Sequence, residues 1–167
     1  MTNVEVKPSL IEGLGIFAAR SIQVGERIKR VAVVREITPD SPIREELGER
    51  IVHCSYPDRK TVLWDFPDRH VNHSCDPNAY ELFDEDFSYF VARRNIAAGE
   101  EITFAYNINI ANGTAWPCRC GAARCLHEVK GDFFLLPEQW QREYRPLLAA
   151  WFVRQHEQRI AALDRAS

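Results

Sequence analysis

The chain has 167 residues, a formal net charge of −3 and 46% hydrophobic residues. This length fits one compact domain with a sizeable core, and no apolar run approaches the ~18 residues that span a bilayer. The acidic balance argues against broad binding of the nucleic-acid backbone, since proteins that do so usually carry a basic field. We therefore expect no direct nucleic-acid partner, no membrane association and, if anything, a basic protein partner.

The N-terminal sequence has neither the basic stretch nor the apolar core of a secretory signal peptide. We therefore expect the protein not to be secreted by such a signal and its five cysteines to be reduced. The expected compartment is cytoplasmic, or nuclear if the source is eukaryotic.

Short strands are predicted over the first part of the chain. Residues 4–35 alternate short apolar runs with glycine and polar turns, and residues 28–34 are rich in β-branched side chains. The sequence GLG at 13–15 puts two glycines in one turn, which lets backbone groups approach a ligand closely. For so short a pattern, a tight turn without a ligand is the alternative.

A helix is predicted over residues 39–53, inserted at the surface between strands. Ser41 is a candidate N-cap and Pro42 lies near the first turn. Apolar residues then recur at four-residue spacing, at Ile43, Leu47 and Ile51. The whole helical insert is expected at about 39–60.

Strand patterns return in the second part of the chain, at 62–64, 80–83, 87–92 and 102–106. The acidic residues at 84–86 separate two of these strands. A solvated hairpin end is the favoured interpretation of this charge run, and attraction of a basic peptide is the alternative.

Helices are predicted after residue 136, where Pro137 and Pro146 can each begin one. The longer helix is expected to carry apolar residues from 147 to 163. Phe133 and Phe134 precede these helices, and an aromatic pair at such a place is more often core than ligand contact. The predicted fold class is therefore mostly β with C-terminal helices.

Three thiols stand close together in the sequence CRCGAARC at 118–125, a spacing that suits a metal ion. A structural zinc site takes four ligands in a tetrahedron. Three of them are supplied here by Cys118, Cys120 and Cys125. Candidates for the fourth ligand are Cys54, Cys75, His73 and His127.

Cys75 is the preferred fourth ligand, because it lies in a polar segment that turns sharply at 76–78. A disulfide pair with spare buried thiols is the alternative, and it is disfavoured because the thiols of a Cys-x-Cys pair bridge poorly. Four thiolates leave zinc no open position, so this metal is expected to hold structure and not to activate water. Cys54 then has no evident partner.

Three polar side chains are candidates for chemistry. Asn72 and His73 precede Cys75 closely, so a bound metal would fix the local backbone and aim both side chains. Tyr106 ends an apolar strand, where its phenol can bind a reactant while its ring packs inward. The alternative for His73 is a core histidine whose hydrogen bonds are satisfied within the protein, and the alternative for Tyr106 is a tyrosine at the edge of the core.

Four segments, taken together and in this order, resemble one family. They are GLGIFA at 13–18, RHVNHSCDPN at 69–78, AGEEITFAY at 98–106 and the Cys-x-Cys-x4-Cys pattern at 118–125. The chain is similar, over about residues 4–125, to the SET-domain protein lysine methyltransferases that carry a zinc-binding post-SET tail. It departs from them at 126–127, where Leu-His stands in place of the Arg-Gly of many members.

The resemblance implies a β-clip-like fold of small curled sheets, in which the Asn-His-Ser-Cys and tyrosine-bearing segments form a pseudoknot-like crossing. It divides the chain into a SET domain at 1–113, a zinc-binding post-SET segment at 114–132 and a C-terminal helical cover at 133–167. It also implies transfer of methyl from S-adenosylmethionine to the ε-amine of a lysine in a protein or peptide, with a basic, histone-like protein as the expected substrate. A catalytically inactive SET-like module that binds a basic protein is the alternative.

The resemblance also assigns residues. The cofactor site would be formed by Gly13, Leu14, Gly15, Asn72 and His73. The structural zinc would be held by Cys75, Cys118, Cys120 and Cys125. Tyr106 would be the catalytic tyrosine, and Tyr80 and Phe104 would line the channel of the substrate lysine. A Phe at position 104 permits di- or trimethylation of the lysine. The alternative is that Phe104 is simply a core residue of its strand.

Overall fold

The computed structural model describes residues 3–84 and 87–165. Two residues of the predicted acidic turn, 85 and 86, lie outside this description. The described strands are β1 (Val4–Pro8), β2 (Leu14–Ala18), β3 (Arg27–Arg30), β4 (Val33–Glu36), β5 (Cys54–Ser55), β6 (Val62–Trp64), β7 (Asn72–His73), β8 (Ala79–Phe83), β9 (Ser88–Ala92), β10 (Glu101–Phe104), β11 (Ala111–Pro117) and β12 (Glu128–Asp132). The α-helices are α1 (Glu138–Tyr144), α2 (Ala150–Gln155) and α3 (Glu157–Arg165).

The strands form small separate sheets. One sheet has the order β1-β2-β10-β7, two have three strands in the orders β3-β9-β8 and β4-β6-β5, and β11 pairs with β12 alone. The neighbours are antiparallel except β10 and β7, which are parallel. The predicted fold class, mostly β with C-terminal helices, is confirmed.

Two apolar clusters hold these sheets together. The first lies between the sheets and includes side chains that are almost fully buried, namely Ile16, Ile22, Ile28, Phe90, Ile96 and Ile102. The second lies under the C-terminal helices, and its buried members include Cys75, Cys118, Phe133, Tyr144 and Phe152. Burial of this apolar surface is the main favourable term in folding, at roughly 25 cal/mol per Å². The second cluster joins the helices to the cysteines.

The predicted helix at 39–53 is not present. The segment contains two 3-10 turns, Glu45–Leu47 and Ile51–His53, and then enters β5. Gly48 ends the first turn with a left-handed φ of 76°, which interrupts an α-helix. Leu47 and Ile51 are more than half exposed, so the four-residue spacing has no apolar surface to cover. A periodic pattern without a buried face does not stabilise a helix in water.

The longer C-terminal helix differs from the prediction at its start and in its middle, where His156 separates α2 from α3 with a non-helical backbone. Arg145–Leu147 forms a 3-10 turn, and a helix does not start until Ala150. Leu148 and Ala149 have extended backbones, and the N–H of Ala149 donates to Oδ1 of Asn109 at 2.7 Å. This bond caps the backbone where the predicted helix would have continued. No helix in the described ranges is long and apolar enough to cross a membrane.

The parallel contact between β7 and β10 brings together segments that are far apart in the sequence. Thr103 is paired with Asn72, and Phe104 with His73. The N–H of Ser74 continues the contact by donating to the carbonyl of Phe104 at 3.1 Å. The two segments of the predicted crossing therefore lie side by side.

Asn78 holds this contact from the side of the turn. Its side chain is 1% exposed. Its Oδ1 accepts from the N–H of Thr103 at 2.9 Å, and its Nδ2 donates to the carbonyl of Glu101 at 2.8 Å. A buried amide with both ends bonded fixes β10 against the turn that follows β7.

Candidate active site and metal centre

Four thiols meet in one cluster, made by Cys75, Cys118, Cys120 and Cys125. Their sulfur atoms all lie within 4.8 Å of one another. The sulfurs of Cys75 and Cys118 are 3.7 Å apart, close to the edge of about 3.8 Å in a tetrahedron with Zn–S bonds near 2.3 Å. The five cysteines of the chain are all free thiols, and Cys54 lies outside the cluster in β5. The four-cysteine set can hold a metal ion.

Backbone N–H groups point at these sulfurs, as they do around metal-bound thiolates. The N–H of Leu126 lies 3.4 Å from the sulfur of Cys75, and that of His127 lies 3.4 Å from the sulfur of Cys125. Such donors stabilise negative charge on sulfur. His127, one of the candidates for the fourth ligand, thus contributes its backbone and adopts a left-handed φ of 61°.

The thiols differ in their tendency to ionise. Burial opposes ionisation of Cys120, but the N–H groups of Cys75 and Ala122 and two neighbouring thiols outweigh it and lower the pKa of Cys120 to about 7. Burial, assisted by the charge on Cys120, raises the pKa of Cys75 to about 11. Burial also raises the pKa of Cys118. Four thiolates can coexist here only beside a cation, which is the environment a metal ion supplies.

His73 connects this cluster to the candidate catalytic tyrosine. Its Nδ1 accepts from the backbone N–H of Tyr106 at 3.0 Å, and its Nε2 lies 3.4 Å from the sulfur of Cys75. Burial lowers the pKa of His73 to about 4, so the ring is neutral at neutral pH. Since Nδ1 is an acceptor, the single ring proton is on Nε2 and faces the sulfur.

Tyr106 lies where these contacts meet. Its hydroxyl donates to the carbonyl of Val71 at 2.8 Å. Burial, with a smaller contribution from the carboxylate of Glu101, raises the pKa of Tyr106, so the phenol keeps its proton. With that proton held by a carbonyl, the oxygen is left as an acceptor for another group.

Aromatic rings surround Tyr106. The centre of its ring lies 5.0 Å from Phe104, 5.3 Å from His73 and 6.0 Å from Trp116. The ring of Phe104 in turn packs on Trp64, at 5.6 Å. These contacts make a largely apolar wall beside the phenol, in which a polar reactant would lose most of its water.

Tyr80, the other predicted channel residue, is not part of this ring cluster. It is half-buried on β8, where it pairs with Val91. Tyr80 was predicted from the sequence as a channel residue, whereas Trp64 and Trp116, which do belong to the ring cluster, were not predicted. Trp116 stands two residues before Cys118, and that proximity to the thiols was the one sequence signal for it.

The glycine turn touches Asn72. Nδ2 of Asn72 donates to the carbonyls of Glu12 and Leu14, both at 3.1 Å, and to Oε1 of Glu101 at 2.8 Å. Three acceptors around one NH2 group fix the orientation of the amide. The NH2 end of the amide therefore faces the glycine turn, and its carbonyl end points away from it.

Glu101 explains why residue 15 is a glycine. A Cβ at Gly15 would lie 2.3 Å from Oε1 of Glu101. The same carboxylate accepts from the hydroxyl of Ser9 at 2.8 Å and 2.9 Å. Gly13 has a left-handed φ of 48°, which favours glycine for a separate, conformational reason. Glu101 lies in the segment AGEEITFAY at 98–106, but no signal in the sequence predicts this role for it.

A cavity of about 340 Å³ opens beside the residue that follows Tyr106. It is lined by Asn107, Leu126, Glu128, Lys130, Asp132, Leu135, Leu136 and Pro137. Asn107 is 3% exposed, and its Oδ1 has no hydrogen-bond partner among the described residues. An unpaired buried acceptor costs roughly 1–3 kcal/mol, which a ligand carrying an N–H donor would recover.

Comparison with known proteins identifies the class. The SET domain family matches residues 13–107, more than half of the chain. The chain belongs to the SET-domain family, as the resemblance of its motifs predicted. Three of the four clustered cysteines, Cys118, Cys120 and Cys125, lie after the matched region, as in a zinc-binding post-SET segment, and Cys75 lies within it.

Curated relatives are histone-lysine methyltransferases. The chain is 33% identical over 137 residues to histone-lysine N-methyltransferase trr of Drosophila melanogaster, covering 74% of this chain and 6% of the relative. It is 31% identical over 137 residues to histone-lysine N-methyltransferase 2B of Homo sapiens, covering 73% and 5%. The chain thus spans a small part of the length of these relatives.

A solved structure shares the fold. A candidate histone methyltransferase from Plasmodium falciparum superposes with a TM-score of 0.53 at 23% identity, covering 64% of this chain and 94% of that chain. The family and the relatives support lysine methyltransferase activity.

Proposed function

We propose that this chain transfers methyl from S-adenosylmethionine to a lysine ε-amine of a protein or peptide, and that its four-cysteine cluster holds a structural zinc. One observation carries the proposal. The β7–β10 contact puts Asn72, His73 and Tyr106 in one place, between the glycine turn at 13–15 and the thiols. The meeting of a glycine turn, a buried phenol and four clustered thiols at these residues supports the proposal.

S-adenosylmethionine, when bound, supplies an electrophilic methyl group for an in-line displacement. Such a reaction depends mainly on alignment of the reactants and exclusion of water. Tyr106 contributes to both, since its ring belongs to the aromatic wall and its oxygen is free to accept from the amine. Its raised pKa suits it to orient the amine and not to remove a proton.

The substrate lysine must arrive as a neutral amine. A free lysine has a pKa near 10.4 and is mostly protonated at neutral pH. An apolar wall formed by Trp64, Phe104 and Tyr106 lowers the pKa of an amine placed against it, because desolvation penalises the charged form. A basic, histone-like protein is the proposed partner, because the curated relatives are histone-lysine methyltransferases.

The residues around the glycine turn fit the methionyl part of the cofactor. Asn72 has its NH2 group bound by three acceptors, and its Oδ1 would accept from the ammonium of the cofactor. The backbone at Gly13, Leu14 and Gly15 would lie alongside, with His73 next to Asn72. The cavity that Asn107 helps to line is large enough for an aminopurine, which has flat apolar faces.

The metal would act through structure alone. Four thiolates complete the shell of zinc, so no position remains for water or substrate. Through Cys75 and His73 the ion would hold the backbone of Tyr106 in place. Phe104 and Tyr80 are proposed as channel residues, with Phe104 leaving room for di- or trimethylated lysine.

The test is transfer of radiolabelled methyl from S-adenosylmethionine to histones. Tyr106→Phe should lower turnover about 100-fold, because a misaligned reactant costs rates of this order. Tyr89→Phe is the matched control, since its ring lies 4.2 Å from the guanidinium of Arg27 and a phenylalanine ring keeps that contact. Equal rates for Tyr106→Phe and the control would remove the assigned role of Tyr106.

A further inference from the structure

Helix α1 holds the turn that carries Cys75. The carbonyl of Cys75 accepts two hydrogen bonds, from Nε of Arg124 at 3.1 Å and from the hydroxyl of Tyr144 at 3.2 Å. Arg124 also donates to the hydroxyl oxygen of Tyr144. One backbone carbonyl is thus fixed by a helix residue and by a residue of the cysteine-rich loop.

Glu143, the neighbour of Tyr144 on α1, fixes the same turn a second time. Its carboxylate accepts from both terminal nitrogens of Arg124, at 2.8 Å and 3.1 Å. It also forms an ion pair with Arg93, and Arg93 donates to the carbonyl of Pro77 at 3.1 Å. One carboxylate therefore binds the two guanidinium groups that hold both ends of the turn at 75–77.

This arrangement rests on a rigid base. Tyr144 is 1% exposed and Trp140 is 6% exposed. The guanidinium of Arg124 lies 4.4 Å from the ring of Trp140, a cation–π contact. This contact adds to the charge-assisted hydrogen bonds of Arg124 to Glu143, which are stronger than neutral ones. Buried contacts therefore hold the turn against α1, in addition to exposed ion pairs, which are weak and screened by salt.

We propose that Glu143 and Tyr144 are positioning residues for the metal centre. By fixing the Cys75 turn they place its thiol in the cluster and, through His73, keep the backbone of Tyr106 in register. The inference rests on the metal-binding part of the proposed function. It gives the C-terminal helices a role beyond the matched SET domain.

The experiment measures zinc dissociation from the full chain by competition with a chelator. Glu143→Gln and Tyr144→Phe should each speed zinc loss about tenfold, since residues that orient metal ligands typically contribute 10–100-fold to affinity. Glu138→Gln is the matched control. It lies on the same helix and breaks an exposed ion pair with Arg142, but it does not touch the turn.

Salt dependence separates positioning from general stability. High ionic strength screens the Glu143 contacts, so zinc loss from the unmodified chain should quicken with salt while loss from Glu143→Gln changes less. Glu138→Gln should behave like the unmodified chain. If Glu143→Gln and Glu138→Gln lose zinc at the same rate and with the same salt response, the proposed positioning role is wrong. An unmodified chain that retains no zinc would instead contradict the metal centre itself.

Discussion

The backbone N–H of Tyr106 donates to Nδ1 of His73, and the other ring nitrogen of His73 faces the sulfur of Cys75. One imidazole therefore spans the distance between the four-cysteine cluster and the residue proposed to orient the substrate. Its neutral state is a condition of this arrangement, because a doubly protonated ring could not accept from Tyr106. A disturbance at the thiols is thereby expected to reach the active site through a single side chain.

Removal of the metal should loosen the backbone of Tyr106. With Cys75 released, His73 loses the partner of its Nε2 and the amide of Tyr106 loses a fixed acceptor, so its hydrogen exchange should quicken. Hydrogen–deuterium exchange before and after chelation measures this change. The amide of Ile22, which donates to the carbonyl of Ile96 in the first apolar cluster, is the internal control. Equal protection of Tyr106 with and without metal would contradict the coupling.

Gly15→Ala should destabilise the protein and weaken cofactor binding. Its Cβ would meet Oε1 of Glu101 at 2.3 Å, and overpacking of this kind costs about 1–3 kcal/mol. The displaced carboxylate would also release Asn72. Urea unfolding and cofactor titration measure the two effects.

The double variant Gly15→Ala, Glu101→Ala tests whether the clash with the Glu101 carboxylate causes the loss of stability. Because the added methyl group clashes with the carboxylate, the two changes should be strongly non-additive, with a smaller loss than the sum of the single variants. Simple additivity would mean that the Gly15 substitution acts elsewhere.

Glu81 should make stability fall as pH rises. Burial, with a smaller contribution from Asp68 and opposed by a bond from the hydroxyl of Ser88, raises the pKa of Glu81 to about 7. The folded state then holds this proton at pH values where the unfolded chain, with a pKa near 4.3, has lost it. The contribution of this group to stability is therefore full below about pH 4 and declines up to about pH 7, by roughly 3–4 kcal/mol.

Urea unfolding of the metal-bound protein between these pH values tests that slope. Glu81→Gln should remove most of it, because the amide does not titrate and can still accept from Ser88. The charged pair of Lys29 and Asp68 nearby stays in both proteins. An identical slope in Glu81→Gln would assign the pH dependence to other groups.

Phe104→Tyr should restrict the number of methyl groups added. The ring of Phe104 lies 5.0 Å from that of Tyr106, so an added hydroxyl would occupy space and bind a donor close to the phenol. We expect mainly monomethylated product, read by mass spectrometry of the modified substrate. An unchanged product distribution would show that Phe104 serves packing alone.

Local patterns predicted the strands and the helical C-terminus because both depend on neighbours in the sequence. The helix expected at 39–53 failed for a reason that only tertiary structure reveals, since Leu47 and Ile51 find no surface to cover. Gly48 is the one residue of this segment whose type argued against a continuous helix, and its left-handed backbone ends the first 3-10 turn.

The candidate site was predictable where short motifs carry it. Cys75 was chosen as the fourth thiol from its place in a polar turn, and the structure puts it among the other three. Glu101 escaped notice because its contact with Gly15 depends on the pairing of β10 with β2, two strands that are far apart in the sequence. Trp116 escaped notice because its contact with Tyr106 depends on tertiary packing after β10. No local periodicity encodes such a contact.

The buried amide of Asn78 limits which residues can replace it as the sequence evolves. The two ends of the amide are hydrogen-bonded to the backbone of Thr103 and Glu101. An aspartate at this position would lose the N–H donor and bury a charge. An alanine would leave both backbone groups without this hydrogen-bond partner. Both substitutions are therefore expected to be selected against. The loop that follows β7 is thus as constrained in sequence as the strand that it supports.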